Sequence, residues 1–138
     1  MDLKKGIWGI KSQYGTCNPF EICRQGNIPI EYVDIVCPLA ETVFLHGHPI
    51  ILLSGELAES PERYFVCAHE LAHVELHNGL QGYYAQNSVN RAKTECEANR
   101  FAAELCKQLY EEEYGECPDC FSCLQRMYGV NQAMMDYL

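Results

Sequence analysis

Apolar side chains recur along this chain at two spacings, one typical of helices and the other typical of strands. Residues 2–14 repeat them at helical spacing, which predicts an amphipathic helix anchored by Trp8. A short helix is predicted over 18–25, where an Asn-Pro pair typical of a helix start leads on to a glycine. Two longer helices are predicted over about 61–77, which has start and stop signals, and about 90–113, which has few helix breakers.

Three strands are predicted between the second and third helices. They span 29–35, 41–45 and 49–53, and the segment between the last two predicts a hairpin turn that contains His46 and His48. We interpret these two histidines as turn residues and not as metal ligands. A chain of 138 residues is expected to form a single domain, here 1–138, and the element order predicts an α+β fold with a three-stranded antiparallel sheet.

The candidate chemistry centres on His69, Glu70 and His73, an H-E-x-x-H motif within the third predicted helix. Residues four apart lie one helical turn on, so the two histidines point the same way and could share a metal ion. Glu70 follows about 100° round the helix, close enough to hold a water molecule at that metal. Two imidazoles, one further protein ligand and an open position for water suit zinc. A chance match is the alternative, and the position of the motif inside a helix argues against it.

A third ligand is expected from the fourth predicted helix. Glu95 falls in the apolar arc of that helix with Asn99 one turn beyond it, and a carboxylate there would be costly to bury unless it were paired or metal-bound. Glu97 falls on the polar face and is expected to be solvated. The sequence therefore predicts Glu95 as the third ligand.

The two motifs also carry a family resemblance. Residues 65–73 and 76–77, followed by Glu95-x-Glu97-Ala98-Asn99, resemble the ImmA/IrrE family of zinc metallo-endopeptidases. These are gluzincins, in which the third ligand is a Glu four residues before an Asn or Asp. The resemblance implies a minimal gluzincin-like domain, in which a small sheet lies beside the H-E-x-x-H helix and a glutamate-ligand helix, with short terminal helices. It is strong over 65–105 and weaker outside.

Residue chemistry and the resemblance together give an expected set of roles. One Zn²⁺ ion would be held by His69, His73 and Glu95. Glu70 would act as the general base that activates water and returns its proton to the leaving amine. Asn99 would hydrogen-bond a ligand and hold its orientation.

Three further residues have open interpretations. His77, two turns beyond His69, is too far along the helix to bind the same ion; it would orient a ligand, contact substrate or lie at the surface. Tyr83 and Tyr84 belong to the loop between the two metal helices. A tyrosine hydroxyl there would stabilise the oxyanion of amide hydrolysis, and the alternative is two surface tyrosines that pack onto the loop.

Composition narrows the partners and the compartment. A formal charge of −9 argues against direct nucleic-acid binding, since few basic side chains are present to neutralise phosphates, and it favours basic protein partners. The start of the chain lacks the pattern of a signal peptide, and no apolar run approaches the ~20 residues that cross a membrane. The 9 cysteines are an odd number, and we expect reduced thiols in the cytoplasm.

Cys117, Cys120 and Cys123 form a C-x-x-C-x-x-C motif near the carboxyl end. The spacing would suit a second zinc ion or an iron–sulfur cluster, provided that a fourth ligand came from elsewhere. The alternative is three reduced thiols. The hypothesis of a dual-metal protein, in which this cluster senses redox state, is supported by this segment alone.

The leading functional hypothesis is a zinc-dependent endopeptidase. The family resemblance implies a narrow substrate, a helix-turn-helix transcriptional repressor encoded nearby, often in a phage or mobile element. The alternative is a non-hydrolytic, zinc-stabilised binding module that sequesters such a regulator. The enzyme is favoured because a structural zinc site would not require Glu70 and would more often be completed by cysteine. The oligomeric state is left open by the sequence.

Overall fold

The fold is described from a computed structural model that covers residues 3–77 and 88–137. Helices account for most of it. The α-helices are α1 (Leu3–Tyr14), α2 (Pro19–Gln25), α3 (Glu62–Ala72), α4 (Ser88–Tyr114) and α5 (Phe121–Tyr128). Short 3₁₀ turns cover Gly55–Leu57 and Gln132–Tyr137, and a π-helical turn, His73–His77, continues α3. The α+β class is therefore confirmed.

The sheet is mixed, so the prediction of an antiparallel sheet is wrong for one of its three strands. The strands β1 (Ile30–Val33), β2 (Ala40–Leu45) and β3 (His48–Ser54) lie in the order β1-β3-β2, with β1 parallel and β2 antiparallel to β3. The most apolar strand, β3, takes the central position, where both of its edges are hydrogen-bonded. The chain therefore runs from β1 to β2 at the opposite edge of the sheet. It then turns back into β3, which fills the position between them and runs parallel to β1.

The predicted hairpin between β2 and β3 is confirmed. Leu45 pairs with His48, which leaves a two-residue loop of His46 and Gly47. Both loop residues have positive φ angles, 53° and 79°, as the type I′ turns of tight hairpins require. His46 lies in the turn, as expected, whereas His48 is the first residue of β3; both are exposed.

Local capping explains where α2 begins and ends. The side chain of Asn18 accepts a hydrogen bond from the Phe20 amide at 3.0 Å, and Pro19 occupies the first turn, where it needs no donor. At the other end the Gly26 amide donates to the Ile22 carbonyl at 2.9 Å. The sequence signals for this helix are confirmed.

The helices α3 and α4 form the centre of the core. α3 packs along α4 and also against α2, the sheet and α5. Small side chains allow the two helices to approach closely, and the buried set includes Cys67, Ala68, Leu71, Ala98, Phe101 and Ala102. Cys67 is fully buried, as a small apolar residue would be.

The expected anchoring role of Trp8 is wrong. α1 buries Ile7 and Ile10 against the core, whereas Trp8 is 71% exposed. Residues one apart on a helix point about 100° from each other, so the face that buries Ile7 directs Trp8 outward. None of the described helices is long and apolar enough to span a lipid bilayer.

Candidate metal centre

Two pairs of residues, each four positions apart, meet where α3 and α4 pack. His69 lies on α3, and His73, one turn further on, begins the π-helical turn that continues this helix; Glu95 and Asn99 lie one turn apart on α4. Because the two helices pack side by side, the four polar side chains face each other across one helix–helix contact. Packing of the two helices thus brings together two motifs that are far apart in the sequence.

The donor atoms of this cluster converge on one point. The Nε2 atoms of His69 and His73 lie 3.2 Å apart, and each is 3.0 Å from one carboxylate oxygen of Glu95. Asn99 Oδ1 lies 2.7 Å from His69 Nδ1 and accepts a hydrogen bond from its N–H, which fixes the ring and leaves Nε2 directed at the cluster. Among the described residues, His69, His73 and Glu95 form the group of side chains that could hold a metal ion, with all ligand atoms within 4.8 Å of one another.

Burial of the three ligands differs from the expectation. His73 is almost fully buried and the His69 side chain is 16% exposed, but the Glu95 side chain is 49% exposed. Glu97, expected to be solvated, is partly buried. The premise that Glu95 is buried in an apolar arc is therefore wrong, although the geometry brings Glu95 and not Glu97 to the histidines.

The charges in this cluster stabilise one another. Hydrogen bonds with His69 and His73 hold the pKa of the Glu95 carboxyl far below its usual range. Burial acts to lower the pKa of His69, but its hydrogen bond with Glu95 and the charges of Glu70 and Glu95 raise it overall. The cluster therefore favours added positive charge, whether a proton on His69 or a cation between the ligands supplies it.

Glu70 is held beside the cluster by a residue of the sheet. Its side chain is buried, at 7% exposure, and Oε2 accepts a hydrogen bond from the Thr42 hydroxyl on β2 at 2.5 Å. A buried carboxylate needs such a partner, because an unpaired one would be costly to desolvate. Thr42 was not identified from the sequence, since a lone threonine in a short strand has no distinguishing pattern.

A cleft opens between β2 and α4, with the cluster at its base. Its two halves share Ala40, Glu70, Arg91 and Glu95 as lining residues. Arg91 lies one turn before Glu95 on α4 and places a cation at a cleft whose other ionisable lining residues are carboxylates and histidines. Arg91 was not predicted from the sequence either, although its position four residues before the ligand glutamate could have drawn attention to it.

Three residues with expected roles fall outside the part of the molecule that the structure describes. Tyr83 and Tyr84 lie outside the described residues, and the side chain of His77 does too, although its backbone ends the π-helical turn. Their expected roles stay predictions.

The cysteine motif does not form a metal cluster within the part of the chain that the structure describes. Cys117 Sγ lies 2.8 Å from Glu111 Oε1, whereas the sulfurs of Cys120 and Cys123 lie 3.8 Å apart. The second metal site that the spacing would suit is therefore not assembled by these three residues, and the alternative of three reduced thiols stays open.

Two ligand-bearing helices, a buried glutamate beside the ligands and a cleft bordered by a sheet edge define a metallopeptidase-type domain. Comparison with known proteins agrees: residues 29–107, more than half of the chain, match the peptidase family M78, the IrrE N-terminal-like domain. The chain belongs to this family, as the resemblance of its two motifs indicated.

A curated relative comes from a bacterial virus. The uncharacterized immunity region protein 2 of Bacillus phage phi105 is 28% identical over 106 residues, which cover 75% of this chain and 66% of the relative. The chain thus spans just under two thirds of that relative's length. No solved structure matches the chain.

Proposed function

We propose that the protein is a zinc-dependent endopeptidase that cleaves a helix-turn-helix repressor of a phage or mobile element. The observation that carries the proposal is the convergence of His69, His73 and Glu95 next to a buried, hydrogen-bonded Glu70. A site that only stabilised the fold would be served by the three ligands and a fourth closing residue. Glu70 is not among the converging ligand atoms, and its position beside them suits a proton carrier.

The donor set fits zinc. Two imidazole nitrogens and one carboxylate leave a tetrahedral ion one position for water or substrate, as catalytic zinc sites require. His69 has its other nitrogen bonded to Asn99, the arrangement that keeps Nε2 available as a ligand. A zinc ion held there would supply Lewis acidity toward water and a peptide carbonyl.

The chain's own residues would then carry the proton transfers. Glu70 takes a proton from the attacking water and gives it to the leaving amine, and Thr42 holds the carboxylate in the orientation that both transfers need. Asn99 fixes the ring of His69. Arg91, at the shared wall of the cleft, supplies positive charge where the oxyanion develops.

Substrate would bind along β2. In the described sheet this strand occupies one edge, with β3 on its inner side, and its residues 40–42 line the cleft beside Glu70. An extended peptide can add to such an edge by main-chain hydrogen bonds, which brings its backbone past the metal ligands. A helix or packed strand cannot do this, so cleavage is expected in a linker or a locally unfolded stretch.

The proposed substrate follows from charge and from the relative. A chain at −9 attracts a basic surface, and repressors of the helix-turn-helix kind are basic where they contact DNA. The phage relative is named as an immunity region protein, and this name supports a phage repressor as the substrate. Opposite charges would speed the encounter, and salt should slow it.

The test is incubation of the zinc-loaded protein with the purified repressor encoded beside it, followed by fragment mapping with mass spectrometry. We expect cleavage at one or two bonds and a rate that falls as salt rises. Casein serves as the control for an unrelated unfolded substrate. Cleavage of casein at the same rate, or degradation of the repressor at many bonds, would contradict a dedicated substrate.

The alternative function is a zinc-stabilised module that sequesters the regulator without hydrolysis. It is supported by the charge complementarity and requires no role for Glu70. Tight binding of intact repressor with no fragments after prolonged incubation would favour it over the enzyme.

A further inference from the structure

Cys120 and Cys123 form a close pair at the start of α5. Their sulfur atoms lie 3.8 Å apart, and the Cys123 amide donates to the Cys120 carbonyl at 3.2 Å. Cys120 caps α5 with an extended backbone, and Cys123 lies within its first turn. Two sulfur atoms at this distance need only a small side-chain rotation to form a disulfide, because the helical turn between the residues already holds them close.

The two thiols differ in accessibility. Cys120 is exposed, whereas Cys123 is 9% exposed and packs near Arg126, whose Nη2 lies 3.8 Å from its sulfur. Ser122 Oγ lies 2.8 Å from Cys120 Sγ and can donate to it as a thiolate. This bond and the contact with Cys123 lower the pKa of Cys120. An accessible thiol with a less accessible partner is the arrangement of an attacking and a resolving cysteine.

Cys117, the third member of the motif, contacts a glutamate of α4 instead. Its thiol donates to the Glu111 carboxylate at 2.8 Å, and this bond raises its pKa. Cys117 is therefore a less reactive thiol than Cys120 at neutral pH, although both are exposed. It provides a matched control on the same segment.

We propose that Cys120 and Cys123 form a reversible disulfide on exposure to a peroxide. The Cys120 thiolate attacks a peroxide oxygen and breaks the O–O bond, which gives a sulfenic acid; for hydrogen peroxide the leaving hydroxide takes up the proton that the Cys120 thiol released and becomes one water. The Cys123 sulfur then attacks the Cys120 sulfur, the S–O bond breaks, and the hydroxyl leaves as a second water with the Cys123 proton. The dithiol loses two electrons, the peroxide gains them, and a dithiol reductant reverses the change.

This site is separate from the metal centre. Cys117 contacts Glu111 near the carboxyl end of α4, and Glu95 lies 16 residues earlier on the same helix. At 1.5 Å per residue, the two positions are about 24 Å apart along the helix. The oxidation does not depend on the peptidase proposal, and substitutions at the cysteines should leave zinc content unchanged.

The experiment counts thiols in the full chain before and after stoichiometric hydrogen peroxide, using wild type and Cys117→Ser, Cys120→Ser and Cys123→Ser variants. Wild type and Cys117→Ser should lose a pair of thiols, regained with dithiothreitol. Cys120→Ser and Cys123→Ser should form no such disulfide, and Cys123→Ser should instead show a dimedone adduct at Cys120. In the reduced protein Cys120 should react with iodoacetamide roughly tenfold faster than Cys117.

Circular dichroism and zinc content establish that each variant is folded. Loss of the disulfide in folded Cys117→Ser would contradict the assignment, as would its persistence in Cys120→Ser. A dimedone adduct on an exposed cysteine elsewhere, such as Cys37 or Cys96, with Cys120 unmodified would overturn it as well.

Discussion

Replacement of Glu95 by Gln should remove most zinc affinity while the neighbouring change Glu97→Gln should not. The Glu95 carboxylate contacts both histidine Nε2 atoms at 3.0 Å, so it bridges the two histidine ligands. The amide keeps the shape of the side chain but loses its negative charge. Glu97, two residues further on, is not a member of the converging group.

The size of the effect can be worked from the ligand count. A site of this kind binds zinc with an apparent free energy of ~10 kcal/mol or more, divided among three protein ligands here, so the loss of one costs ~3 kcal/mol. That corresponds to a dissociation constant raised roughly a hundredfold or more. Asn99→Ala removes only the hydrogen bond that orients His69 and should weaken binding by about 10–100-fold.

The assay is competition with a fluorescent zinc chelator on metal-free protein, with thermal unfolding of each metal-free variant as the folding control. The expected order of zinc affinity is wild type and Glu97→Gln highest, then Asn99→Ala, then Glu95→Gln. Wild-type affinity in Glu95→Gln, or a large loss in Glu97→Gln, would refute the ligand assignment.

Three further outcomes are expected. Thr42→Val should lower kcat roughly tenfold to a hundredfold, because a hydrogen bond to a charged group contributes about 1.5–3 kcal/mol, and Thr42→Ser should retain most of the activity; equal rates for both would exclude a role for the hydroxyl. Arg91→Ala should lower kcat roughly a hundredfold, with Lys93→Ala as the exposed control on the same helix. The pKa of His69 is raised on folding, so its contribution to the stability of the metal-free protein is complete below pH 6.5 and is lost as the pH rises through the higher folded-state pKa. Denaturant unfolding measured from pH 6 to 8 should show this decline. Zinc should reverse the decline, because metal and protons compete for the ring.

Local signals in the sequence were sufficient for much of the fold. The caps of α2 and the two-residue turn at His46 and Gly47 depend on residues close in sequence, so pattern and chemistry predict them directly. The ligand pairs follow the same logic. Residues four apart on a helix share a face whatever the rest of the chain does, and the side-by-side packing of α3 and α4 then brings both pairs together.

Features that depend on tertiary placement were not predictable in the same way. The direction of β1 is decided by which strand takes the centre of the sheet, and Trp8 is exposed because the core contacts the opposite face of α1. Thr42 reaches the site from β2, and Arg91 lies one turn before Glu95 on α4, so neither belongs to the two motifs. The spacing of the three cysteines suggested one cluster, but Glu111 binds the first of them and leaves a pair.

The most direct test of the proposed enzyme is the rate of repressor cleavage by Glu70→Gln at matched zinc content. The substitution removes the base but none of the converging ligand atoms, so the variant should bind zinc and fold like wild type. The account predicts that cleavage, followed by mass spectrometry, falls by several orders of magnitude in Glu70→Gln. Cleavage at the wild-type rate by the zinc-loaded variant would contradict it and move the catalytic role to another group.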